Sequence, residues 1–197
     1  ISVMKKHQRY FPVEHDGQLL PYFIAVRNGH KRGLDMVRSG NEHVIRARFS
    51  DAAFFIQEDS KQPLEKFLPR LNTLVFQEKL GSMLDKTHRV VKLVEELSPK
   101  LGLSEEDKAI ALRAAKLCKA DLATQMVIEM TSLQGIMGRF YALQSGEKPA
   151  VADAIFEHYL PRFSGDELPK SQAGLIIGIA DRLDTLAGLF SAGLAPS

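Results

Sequence analysis

His88, Asp121 and Asp181 offer an imidazole and two carboxylates, with about 30 residues between the first pair. On neighbouring helices such a set could close on a divalent ion, and the ion would polarise a phosphoryl oxygen or activate water. The residue before Asp121 is Ala120, which donates no lone pair, and Lys119 next to it carries a charge that opposes a cation. Other chemistry has less to stand on. Neither Gly-x-x-x-x-Gly-Lys-Ser/Thr nor Gly-x-Gly-x-x-Gly occurs, so no phosphate-cradling glycine loop is present. Gly-x-Ser-x-Gly and His-Glu-x-x-His are also missing, which removes the motifs of serine hydrolases and zinc proteases. Cys118 lies at an apolar helix position, where a thiol acts as a small hydrophobe. Met126, Met130 and Met137 recur at core spacing, and His7, His15, His30 and His43 lie in a basic, polar stretch that suits a surface. His158 follows Glu157 without a ligand partner.

The order of His88, Asp121 and Asp181, with their expected helices, resembles the HD metal phosphohydrolases. That family's pattern requires histidine immediately before the middle aspartate, and here the position is Ala120. The resemblance therefore implies a degenerate site without metal. In that case Asp121 can cap a helix beginning at Leu122, Asp181 can pair with Arg182 or Lys119, and His88 is a partly exposed helix residue. A working HD-type metal-dependent phosphohydrolase using the same three residues is the rival reading.

The chain that must position these groups has 197 residues, 45% hydrophobic and 25% charged, enough for a sizeable core. No stretch reaches the roughly 18 apolar residues of a membrane span, and one cysteine forms no internal bridge, so the expected compartment is the cytoplasm. The chain begins at Ile1 and stops at Ala195-Pro196-Ser197 after an apolar run, which reads as a piece of a longer protein. Charge is uneven. Residues 1–50 hold nine Lys/Arg against four Asp/Glu, and residues 151–197 hold three against six. A polyanionic partner at the front of the chain fits that asymmetry.

Strand character is confined to the start, where Leu19 to Val26 lie between the turn pairs Asp16-Gly17 and Asn28-Gly29. A hairpin with Tyr10-Phe11-Pro12-Val13 follows, with Pro12 and Pro21 confining both runs to edges. From Gly40 the period becomes helical: Ile45, Phe49, Ala52 and Ile56 form one stripe over 40–59. Of Phe54 and Phe55, which point in different directions, at least one is expected to be buried. Helices are further expected at 64–71, at 79–98 and from Ser104 to about 123, the hydroxyl and Glu105-Glu106-Asp107 marking the last N-terminus. Others follow at about 122–130, 132–144, 149–160 and 170–190. The expected fold is mainly α: a helical bundle over 76–197, preceded by a small α+β lead-in over 1–75.

Several strings identify the chain with a second family. They are Met4-Lys5-Lys6-His7-Gln8-Arg9-Tyr10-Phe11-Pro12-Val13, Leu20-Pro21-Tyr22-Phe23-Ile24-Ala25-Val26-Arg27-Asn28, Val44 to Phe55, Val75 to Gly81, Lys116 to Thr124 and Ile179 to Leu186. Together they resemble, in order and over essentially the whole chain, the beta subunit of bacterial heterotetrameric glycyl-tRNA synthetase. The resemblance implies an alpha-subunit partner that carries the aminoacylation site and binds ATP and glycine, the parent complex using ATP and Mg2+. It implies a beta subunit that recognises tRNA, an HD-like helical domain lacking the full metal set, and no cofactor or catalysis in these residues. The tRNA contacts expected here are Lys5, Lys6, Arg9, Arg27, Lys31 and Arg32, with Tyr10 and Tyr22 near enough to stack on an unpaired base.

Overall fold

The computed structural model describes residues 4–5, 8–30 and 32–194. They divide into two compact units, one within 1–58 and one within 59–197. In the first, Asp16 (φ 49°) and Gly17 (φ 74°) adopt left-handed backbone that Asp tolerates and Gly favours. This turn folds β1 (Phe11–His15) back on β2 (Gln18–Ile24) as an antiparallel pair. Both strands are edges of a two-stranded sheet, the placement that Pro12 and Pro21 require. The register shifts between Pro12 and Glu14, and β2 ends at Ile24 rather than Val26.

Gly33 (φ 74°) then admits the chain to α1 (Leu34–Asp59), which starts before the expected position because Gly40 is carried inside it. An interior glycine costs a helix about 0.5–1 kcal/mol relative to alanine, which 26 helical residues absorb. Of the α1 stripe Ile45 is buried, whereas Phe49 is 46% exposed. Neither Phe54 nor Phe55 is buried, contrary to expectation; their rings meet edge-on at 6.0 Å instead of entering a core.

In the second unit a 3-10 segment, Leu64–Thr73, buries Leu64, Phe67, Leu68 and Leu71, one face of a tight helix. β3 (Val75–Gln77) pairs with β4 (Gly81–Ser82), and α2 (Met83–Lys100) starts at once from a reciprocal cap. The Ser82 hydroxyl accepts from the Asp85 amide while the Asp85 carboxylate accepts from the Ser82 amide, so the helix begins later than residue 79. Ser104 caps α3 (Glu105–Leu117) as predicted. The expected continuation to 123 fails, because residues 120–123 tighten into a 3-10 turn that sends Asp121 inward.

Four helices complete the unit: α4 (Gln125–Glu129), α5 (Ile136–Gln144), α6 (Pro149–Glu157) and α7 (Gln172–Ser191). α7 packs on α2, α3 and α6 through Ala173, Gly174, Ile176, Ile177, Gly178 and Ala180, and the small residues let these helices approach. Val90, Val94, Ala111, Ala114, Ala115 and Ile155 face them in a core of low side-chain volume. The fold is mainly α. Among the described residues no helix is long and apolar enough to cross a membrane.

Candidate functional site

α2, α3, α6 and α7 enclose an ionic cluster where charged side chains have almost no water. Lys86 and Lys119 are 3% and 4% exposed, so each ammonium must find its partners inside the protein. Lys86 donates to Asp184 Oδ2 at 3.1 Å, to Thr185 Oγ1 at 2.7 Å and to the Asp181 carbonyl at 3.2 Å, and lies over the Phe76 ring. Its Nζ is also 3.1 Å from Asp181 Oδ1, an ion contact without hydrogen-bond alignment. Arg89 completes Asp184 with a forked pair, Nε to Oδ1 at 2.6 Å and Nη2 to Oδ2 at 3.2 Å.

Lys119 donates to Asp181 Oδ2 at 3.0 Å, and its Nζ lies 2.9 Å from His158 Nε2 and 4.4 Å above the Tyr159 ring. The other ring nitrogen, His158 Nδ1, is 2.6 Å from the Ile155 carbonyl. A carbonyl only accepts, so Nδ1 carries the proton and Nε2 turns its lone pair to the ammonium. Burial, reinforced by the Lys119 charge, drives His158 well below the ordinary histidine range. Burial alone would push Asp181 up, but Lys119 and Lys86 outweigh it and hold the carboxyl down at about 2.

Asp121 is fully buried and faces a helix end. Its Oδ2 accepts from the Gly135 amide at 2.6 Å and the Gly138 amide at 3.1 Å, both at the start of α5. It therefore caps α5, fourteen residues on, and not a helix at Leu122. Two amides do not fully offset the loss of water, and burial raises this carboxyl to about 6.

The three sequence-predicted positions do not converge. Asp181 lies within the cluster, Asp121 caps α5, and His88 is exposed on α2. No group of three His, Cys, Asp or Glu side chains among the described residues could hold a metal ion. A divalent ion does not fit this donor set, because the Asp181 carboxylate and the His158 lone pair already face ammonium groups. Asp181 pairs with Lys119, one of its two expected partners; Arg182 instead donates to the carbonyls of His158, Gly178, Tyr159, Leu160 and Pro161.

Sequence reasoning missed Lys86, His158 and Asp184. Lys86 escapes notice because it is two residues from His88, about 200° away around the helix. His158 had a readable signal: it continues the spacing of Val151, Ala154 and Ile155, all buried. Cys118 is fully buried and its thiol is pushed up to about 12, which leaves no nucleophilic thiolate near neutrality. Met126, Met130 and Met137 are buried as core residues.

In the first unit Lys5, Arg9, Arg27 and Arg32 are exposed. Arg27 bends over the Asn28-Gly29 turn to donate to the His30 carbonyl at 3.1 Å. Lys6, His7 and Lys31 lie outside the described residues. Tyr10 is committed elsewhere: its hydroxyl donates to Asn41 Oδ1 at 2.9 Å and its ring stacks on Phe23 at 4.9 Å. Tyr22 is 66% exposed.

A family model described as "Glycyl-tRNA synthetase beta subunit" matches residues 1–197. The glycine–tRNA ligase beta subunit of Clostridioides difficile is 54% identical over 197 residues, covering all of this chain and 28% of its own length. The corresponding proteins of Desulforudis audaxviator and Desulforamulus reducens are 52% and 50% identical over 198 residues, again across the whole chain. The chain thus spans a little over a quarter of the length of these relatives.

Proposed function

Since the chain belongs to the glycyl-tRNA synthetase beta-subunit family, we propose that it supports tRNA recognition in an assembly that attaches glycine to its tRNA. The aminoacylation site, with its ATP and Mg2+, lies on an alpha subunit, and the assembly works in the cytoplasm. Residues 76–197 are read as an HD-like domain that has kept its frame and lost its metal chemistry, behind a lead-in over 1–75. The observation that carries this reading is the family match along the full chain.

The interior cluster supports a non-catalytic role. A phosphohydrolase needs an ion with open coordination positions, and here two lysines stand against Asp181 while His88 faces solvent. The basic side chains of the first unit, Lys5, Arg9, Arg27 and Arg32, are exposed, Arg27 holding only a solvent-exposed bond to the His30 carbonyl that a phosphate can replace, and Lys6 and Lys31 belong to the same stretch of sequence.

Titration of a labelled glycine-accepting tRNA with this chain, alone and with the alpha subunit, tests the proposal. Saturable, salt-sensitive binding is expected. Absence of binding in both mixtures, or metal-dependent release of phosphate from nucleotides by the chain, would overturn it.

A further inference from the structure

A cleft of about 1030 Å³ within the first unit lies between the β1–β2 hairpin and the first half of α1. Its floor is apolar, formed by Leu20, Phe23, Val37 and Ile45, and its lining includes Tyr22, Arg27, Arg38 and Arg46. We propose that this cleft holds unpaired nucleotides of an RNA strand, with phosphates on Arg27, Arg38 and Arg46 and a base on Tyr22. The inference rests on the tRNA-recognition reading and specifies which part of an RNA it engages.

Charge and an exposed aromatic face choose this occupant. A volume of about 1030 Å³ sits at the upper end of the roughly 300–1,000 Å³ of small-molecule sites and has room for a chain segment. Three arginines against Glu42 leave the lining positive, as a strand of phosphates requires. Arg38 and Arg46 are held by exposed pairs on the same helix, with Asp35 at 3.0 Å and Glu42 at 3.1 Å. Such exposed pairs are weak and are readily exchanged for a phosphate. Tyr10, fixed by Asn41 and stacked on Phe23, stiffens the floor, while Tyr22 presents a free aromatic face. A peptide adding to the β2 edge would meet Pro21, which has no amide to donate. Duplex RNA buries its base faces and cannot stack on Tyr22.

Fluorescence anisotropy with three probes tests the assignment: an eight-nucleotide single-stranded RNA, the same RNA annealed to its complement, and whole tRNA. The single strand is expected to bind at least tenfold more tightly than the duplex. Tyr22→Ala should weaken it about tenfold while Tyr22→Phe preserves it. Arg38→Ala/Arg46→Ala should lower the log–log salt slope by about 1.4. Binding of whole tRNA that ignores all these substitutions would overturn the cleft assignment and leave the tRNA reading standing. Binding of no RNA at all would overturn both. Burial of Tyr22 on adding the alpha subunit, with no single-strand binding, would make the cleft a protein-docking groove and overturn the proposal.

Discussion

The Lys119 ammonium lies 2.9 Å from the Nε2 of His158 deep inside the helical unit, and the same ammonium lies 3.0 Å from Asp181 Oδ2. One lysine thereby occupies both the lone pair of an imidazole and an oxygen of a carboxylate, the two donor types with which a metal would be bound. Removing it should be costly. Lys119→Met strips a buried carboxylate of one of its two cations and is expected to destabilise the chain by about 3–5 kcal/mol. Adding Asp181→Asn should restore more than half of that loss, a coupling that a double-mutant cycle in urea measures directly.

Protonation of the interior gives a prediction with two opposing signs. His158 has a depressed folded pKa, so its stability is present above the unfolded value of about 6.5 and is lost as pH falls. Asp121 is raised to about 6, so its contribution is complete below the unfolded value of about 3.9 and is lost as pH rises through 6. Between pH 6 and 4 the two act in opposite directions. Asp121→Asn, whose amide oxygen still accepts from Gly135 and Gly138, leaves His158 unopposed. Relative to wild type it should lose about 1.4 kcal/mol per pH unit in that window, followed by chemical denaturation at several pH values.

Asp181, held at about 2, contributes stability present above the unfolded value of about 3.9. That stability is lost as pH falls through 2. The acid transition of the wild type should therefore steepen below pH 4, and in Asp181→Asn it should be shallower.

Much of this fold was legible because single residues dictate local geometry. Asp16-Gly17 required a hairpin turn, and Ser104 with three acids after it marked a helix start. Gly40 misled because a glycine weakens a helix without ending one of this length. The site was less legible, since imidazole is the usual metal ligand and drew attention to exposed His88. Lys119 was legible as a partner of Asp181, but the second cation beside that carboxylate, Lys86, was not: its type suggests a surface and its burial depends on Asp184 and Thr185 almost 100 residues away.

No divalent ion is expected to stabilise the chain. Millimolar Mn2+, Zn2+ or Mg2+ should leave Tm unchanged, and so should a chelator. A specific ion at a thousand times its Kd would add about 4 kcal/mol and raise Tm by many degrees, an unmistakable contrary result.

Gly138 tests the Asp121 cap sterically. A Cβ there would stand 2.9 Å from Asp121 Oδ2 and 2.9 Å from Ile155 Cγ2, both fully buried. Gly138→Ala should cost about 1–3 kcal/mol despite the better helix propensity of alanine. Thermal denaturation decides this, and a gain in stability would remove the close approach from the account.

The central claim, that the basic first unit meets tRNA, is tested most directly by the salt dependence of tRNA affinity. The comparison is between the wild-type chain and a variant with Arg27, Lys31 and Arg32 all replaced by alanine. If the three contact phosphates, the variant binds more weakly and the magnitude of its log–log slope falls by about 2 to 3, with its helical circular dichroism intact. An unchanged affinity and an unchanged slope in the folded variant would contradict the claim.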